Sequence, residues 1–171
     1  MPSNVEIKAR VADPALVAAR AEALADGPAV VLEQCDTFFR TARGRLKLRE
    51  LGDGRAELID YDRPDAPGPR TSVYRVLPVD DAGLLRSILG RHLPLRGVVR
   101  KRRRLFMAGQ TRIHLDAVEG LGEFIELEVV LRPDQSPDEG CTVAEDLMAR
   151  LGVGPSDLVA QAYVDLLEQA T

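Results

Sequence analysis

The 171-residue sequence has no tryptophan, three tyrosines, four phenylalanines and two cysteines. Each shortage argues against a class of function. So few rings argue against a stacking platform for single-stranded nucleic acid. Two thiols are too few for a structural zinc site, and Cys35 and Cys141 are expected to be free rather than bridged. No apolar run approaches the roughly 20 residues that cross a bilayer. The opening Met1 to Lys8 carries no apolar signal segment. A cytoplasmic protein with no membrane partner is therefore expected. The net charge of −4 does not favour a general nucleic-acid binder, and no such partner is expected. Internal repeats and long low-complexity stretches are also lacking.

What is present is a single domain's length, 1–171, with glycines and prolines placed mostly between periodic segments. Four stretches read as helices. Asp13-Pro14 caps one that runs to about Ala25. A second follows Asp80-Asp81 and reaches about Arg91. Ser136-Pro137, with Glu139 as a capping box, opens a third that ends near Leu151-Gly152. A fourth is expected after Pro155-Ser156, because Leu158, Val159, Ala162 and Leu166 recur at helical spacing. Eight stretches alternate with period two: 4–10, 36–41, 44–51, 55–62, 72–78, 97–107, 111–117 and 123–131. Asp53-Gly54 is a hairpin turn signal, and short breaks at Gly109 and Gly120/Gly122 make a meander, so antiparallel pairing follows. Between Arg63 and Thr71 the three prolines 64, 67 and 69 mark a loop, expected to be mobile without ligand.

Charge is sorted by strand face. Successive strand side chains point to opposite sides. Arg45, Lys47 and Arg49 share one face; so do Glu6, Lys8 and Arg10; so do Arg112, His114 and Asp116; so do Glu126 and Glu128. Five basic residues run from Arg100 to Arg104, of which Lys101 and Arg103 share a face and Arg100, Arg102 and Arg104 share the other. A sheet with one wet face explains any single strand. A closed antiparallel barrel of the α+β class, charged inside and covered by helices, explains the set. Such an interior is costly unless its charges are paired or hold a ligand. Phosphate oxygens answer the cations, and a hard divalent ion such as Mg²⁺ or Mn²⁺ answers the carboxylates.

The sequence resembles the CYTH, or triphosphate tunnel metalloenzyme, superfamily. The resemblance covers nearly the whole chain. It is carried in order by Val5-Glu6-Ile7-Lys8, Gln34-Cys35-Asp36-Thr37-Phe38-Phe39, Gly44-Arg45-Leu46-Lys47-Leu48-Arg49-Glu50, Lys101-Arg102-Arg103, Arg112-Ile113-His114-Leu115-Asp116, Gly120 to Glu128, and Tyr163 to Leu167. It implies an eight-stranded antiparallel tunnel and a metal-dependent enzyme on a triphosphate: ATP, thiamine triphosphate or inorganic triphosphate. Lys8, Arg49, Lys101, Arg103 and Arg112 fall on the phosphate-gripping positions, with Arg45 and Lys47 beside them. Glu6, Glu126, Glu128 and Asp116 fall on the positions for Mg²⁺ or Mn²⁺. Glu126, Asp116 and Arg112 are the implied catalytic set. Two positions depart from the pattern. Asn4 stands where the family has a first glutamate, and Tyr61 aligns where cyclases carry a lysine.

Attack on the α-phosphorus by a ribose hydroxyl would make a cyclase, and attack by water on the terminal phosphorus a hydrolase. Asn4 keeps open a third reading, a catalytically weak polyphosphate- or nucleotide-binding module. A single-stranded nucleic-acid binder using the basic strands is the fourth. His114 reads as a hydrogen-bonded neighbour rather than a general base, and Tyr163 as packing. A monomer or a homodimer fits the sequence.

Overall fold

Alternating apolar and charged side chains make two-faced strands, and closing them buries both faces without leaving an edge. In the computed structural model, which describes residues 3–171, the chain does this with eight strands. They are β1 (Ser3–Arg10), β2 (Val30–Phe39), β3 (Arg45–Leu51), β4 (Ala56–Asp62), β5 (Arg70–Val79), β6 (Leu95–Ala108), β7 (Thr111–Val118) and β8 (Gly122–Val130). They form a closed antiparallel barrel in the order β1-β5-β4-β3-β2-β6-β7-β8. Helices α1 (Pro14–Leu24), α2 (Ala82–His92), α3 (Pro137–Leu151) and α4 (Tyr163–Gln169) pack around it. No helix among the described residues is long and apolar enough to cross a membrane.

The outward side chains make the main core. Ile7, Ala9, Phe106, Ile113, Leu115, Ile125 and Leu127 meet Val17, Ala18 and Ala21 of α1 and Leu147, Met148 and Leu151 of α3. The helices start where their caps put them. Asp13 accepts from the Leu16 amide at 3.0 Å and Asp81 from the Leu84 amide at 2.8 Å, and Ser136 and Glu139 form both halves of a capping box. At Gly140, α3 crosses β1 so closely that an added methyl would lie 2.5 Å from Leu131 Cδ2 and 2.8 Å from Val5 Cγ2. Gly140→Ala is therefore expected to cost about 1–3 kcal/mol of overpacking, more than alanine's helix propensity returns. The midpoint of urea denaturation reads this; an unchanged midpoint would mean that α3 can slide off β1 without loss.

The fourth helix differs from expectation. Pro155–Asp157 is a single 3₁₀ turn, and the next residues are extended. Leu158 bridges to Ala9, and the Val159 amide donates to the Lys8 carbonyl at 2.9 Å. Pairing with β1 thus overrides the helical spacing of Leu158, Val159 and Ala162. The helix begins at Tyr163, where Asp165 accepts from the Ala162 amide at 2.8 Å. The second strand also starts earlier than its alternation suggested. Val30 to Glu33 pair with Leu105 to Arg102, so a partner strand recruits residues with weak periodicity.

Candidate active site

Antiparallel register sets inward charges of opposite sign beside one another. Asp36 lies opposite Arg49, Arg103 opposite Asp116, Lys8 opposite Glu126, and Arg112 opposite Glu128. They surround a cavity of about 190 Å³ inside the barrel. Its wall includes Glu6, Lys8, Lys47, Arg49, Lys101, Arg103, Arg112, Glu126 and Glu128 of the expected set. Asp116 sits behind Arg103, wholly buried. Arg45 stands apart from that wall and is bound to Asp65 at 2.7 Å and Asp165 at 3.5 Å.

On one side Asp36 is a hub. Arg49 donates to both its oxygens at 2.8 Å, Lys47 donates at 3.1 Å and Lys101 at 3.4 Å. Burial works to raise the Asp36 pKa, but Arg49, Lys101 and Lys47 hold it well below the usual carboxylate range. The cations show the reverse strain. Burial pushes Lys47 down to about 7, with Arg49 adding to it and Asp36 opposing. A polyanion entering here would favour the protonated amine. Tripolyphosphate binding is therefore expected to take up protons, and to weaken as pH rises through about 7. Calorimetry in buffers of different ionisation enthalpy, beside Lys47→Met, checks this; equal uptake in both proteins would remove Lys47 from the account.

Along β6 from Lys101, Arg103 clasps Asp116 with two bonds of 2.7 Å and reaches Glu126 at 2.8 Å. Lys8 pairs with Glu126 at 3.2 Å. Against the pull of burial, Lys8, His114 and Arg103 hold Glu126 well below the usual carboxylate range. Burial pushes Lys8 down to about 8. Tyr163, expected as packing, belongs to this group. Its hydroxyl donates to Asp116 at 2.8 Å, and the Lys8 ammonium stands 3.7 Å from the centre of its ring. Nearby, His114 Nδ1 lies 3.9 Å from Glu126 Oε2 and 3.9 Å from Glu128 Oε1. Ligand atoms of these three residues all fall within 4.8 Å of one another.

Two arginines unseen in the sequence pair with Glu6: Arg63 lines the cavity, and Arg70 lies opposite Glu6 in the β1–β5 register. Arg63 and Arg70 flank the proline-rich loop, and both are buried. Arg63 Nε lies 3.1 Å and Arg70 Nε 3.7 Å from Glu6. The extended C-terminal segment caps three cations in succession: Val159, Ala160 and Gln161 carbonyls accept from Arg70, Arg63 and Lys8. Nothing in the loop's composition pointed Arg63 inward, since it has no alternation to follow, and Arg70 opens β5 two residues before the alternating stretch marked in the sequence. Asp36 had the right parity, but its three partners come from β3 and β6, which only the register brings together. Tyr61 lines the cavity beside Lys47, whose ammonium stands 5.4 Å from the ring centre. Arg100 and Arg102 lie outside the barrel and Arg104 is half-buried, in keeping with their alternation.

The chain is similar in sequence and in fold to known proteins. The chain is 28% identical over 178 residues to adenylate cyclase CyaB of Aeromonas hydrophila, covering 98% of this chain and 90% of that one. A solved protein from Pyrococcus horikoshii OT3 superposes with a TM-score of 0.85 at 24% identity, covering 95% and 98% of the two chains. An adenylyl cyclase candidate from Hippeastrum, described as having a dominant triphosphatase activity, superposes at 0.65 with 16% identity, covering 98% and 96%. Residues 3–163, from the first described strand to the tyrosine bonded to Asp116, match the CYTH domain, and the chain belongs to that family.

Proposed function

We propose that this protein is a metal-dependent enzyme that holds the triphosphate of its substrate inside the barrel. The observation that carries the reading is the set of largely buried cations around the cavity: Lys47, Arg49 and Lys101 meet at Asp36, and Lys8 and Arg103 meet at Glu126. Each is now satisfied by an internal carboxylate that a phosphate oxygen can relieve. The carboxylates of Glu126 and Glu128 suit a divalent ion, which when bound neutralises charge on the phosphate oxygens. Arg103 and Lys101 hold the phosphates in line and offset charge that grows on the leaving group. Tyr163 and Asp116 fix Arg103 in place.

The first reading of the reaction is cyclisation of ATP with release of pyrophosphate. Ile59, Tyr61, Tyr74 and Val76 form a mixed aromatic and aliphatic wall on the side away from Glu126, where a base can lie. The similarity to the Aeromonas cyclase supports it. Hydrolysis of a smaller triphosphate is the second reading. It is favoured by the cavity volume of about 190 Å³, below the roughly 300 Å³ at which pockets begin to enclose drug-sized ligands.

Product release from ATP, thiamine triphosphate and inorganic triphosphate, each with Mg²⁺ or Mn²⁺, tests both, with Glu126→Gln as control. Cyclic AMP with pyrophosphate establishes the cyclase. Terminal phosphate from one compound, lost in the control, establishes the hydrolase. Tripolyphosphate binding without turnover of any compound sinks the enzyme reading and leaves a binding module.

A further inference from the structure

His114 was expected to be a neighbour held by hydrogen bonds. Its side chain is 5% exposed, and Nδ1 is buried without a hydrogen-bond partner. The two carboxylates it faces, at 3.9 Å each, are beyond hydrogen-bond reach. Leaving a ring nitrogen buried and unpaired costs about 1–3 kcal/mol, so the position calls for an occupant that the nitrogen can bind.

The spacing suits an ion. Ligands each about 2.1 Å from a shared centre lie about 3–4.2 Å apart, and His114, Glu126 and Glu128 present one atom each inside a 4.8 Å span. Glu128 Oε1 faces the imidazole, while its other oxygen meets Arg112 at 3.6 Å. Glu126 is held by Lys8 and Arg103 and would turn toward the centre as those cations shift to an anion. The donor set then contains nitrogen. Mg²⁺ prefers oxygen ligands and keeps its waters, whereas imidazole suits Fe, Ni, Cu and Zn best; Mn²⁺ is the most magnesium-like of the first-row ions but accepts a nitrogen ligand more readily than Mg²⁺ does.

We infer that His114 is a metal ligand, and that with Glu126 and Glu128 it makes a mixed nitrogen–oxygen site that selects a first-row transition ion such as Mn²⁺ over Mg²⁺. The inference rests on the metal-dependent reading above, but it is tested without turnover. Mn²⁺ bound to the full chain is expected to show nitrogen modulation in its electron spin-echo spectrum, retained in His92→Asn and lost in His114→Asn. His92, the other histidine, is exposed at the end of α2. In calorimetry His114→Asn should weaken Mn²⁺ at least about 10-fold and leave Mg²⁺ within about threefold. A wild-type spectrum without nitrogen coupling, or coupling lost instead in His92→Asn, overturns the assignment. So does equal Mn²⁺ affinity with and without His114. If His114→Asn fails to fold, the wild-type and His92→Asn spectra decide the question. Triphosphate turnover beside a nitrogen-free spectrum would sink the ligand and spare the proposed function; coupling without turnover would do the reverse.

Discussion

Asp36→Asn is expected to destabilise the protein by about 3–5 kcal/mol, because it leaves Lys47, Arg49 and Lys101 buried together without their anion. For a chain of this length that is a fall of roughly 10 °C in Tm. Asparagine keeps the shape and one acceptor, so the loss is mainly charge. The same variant should gain more from a polyanion than the wild type does. Tripolyphosphate supplies the missing negative charge, and a ligand that binds the folded state stabilises it by mass action. Thermal unfolding with and without tripolyphosphate measures both effects. A variant whose Tm drops but does not recover more than the wild type's would mean that the three cations do not meet phosphate. The pH dependence has a definite sign. The folded pKa of Asp36 is depressed, so its contribution is present above the ordinary carboxylate value of about 3.9 and is lost as pH falls through the lowered folded value. Asp36→Asn should remove that part of the acid limb.

Arg103→Met should be the most damaging change among the groups around Glu126. Asp116 is 0% exposed and depends on Arg103 for two of its hydrogen bonds, with Tyr163 supplying a third. Removing the guanidinium leaves a buried carboxylate underpaired and takes a partner from Glu126. About 3–5 kcal/mol of stability should go, visible in urea denaturation. Under the proposed function triphosphate affinity falls too, and the two losses can be separated. The double variant Arg103→Met with Asp116→Asn removes the stranded charge, so stability should return in part while binding does not. Recovery of both together would make Arg103 a structural residue alone. Lysine is a poor substitute here, since two parallel bonds to Asp116 need the planar fork of arginine.

The barrel was legible because side-chain direction in a strand depends on nothing but parity. Glu6 with Lys8, Arg45 with Lys47 and Arg49, and Glu126 with Glu128 declare a charged face on their own strands. Caps at Asp13 and Ser136 likewise act within one turn, and their helices start where the local signals place them. The proline-rich loop and the last segment follow no such rule. Arg63 reaches Glu6 from the loop end, Arg70 meets it only because β5 pairs with β1, and Leu158 to Ala162 are drawn out of a helix by β1 and by three tunnel cations that need carbonyls.

Parity along each strand is enough to turn Glu6, Lys8, Lys47, Arg49, Glu126 and Glu128 inward, and burial then requires opposite charges to meet there. Which of them meet follows only from the closed barrel. Asp36 became the hub for three cations, Asp116 was taken wholly by Arg103 and Tyr163, and His114 was left with a buried nitrogen facing two glutamates. The physical reason is that parity is a property of one strand, whereas a pairing is a property of register between strands far apart in the chain, and register is settled by closing the whole barrel at once.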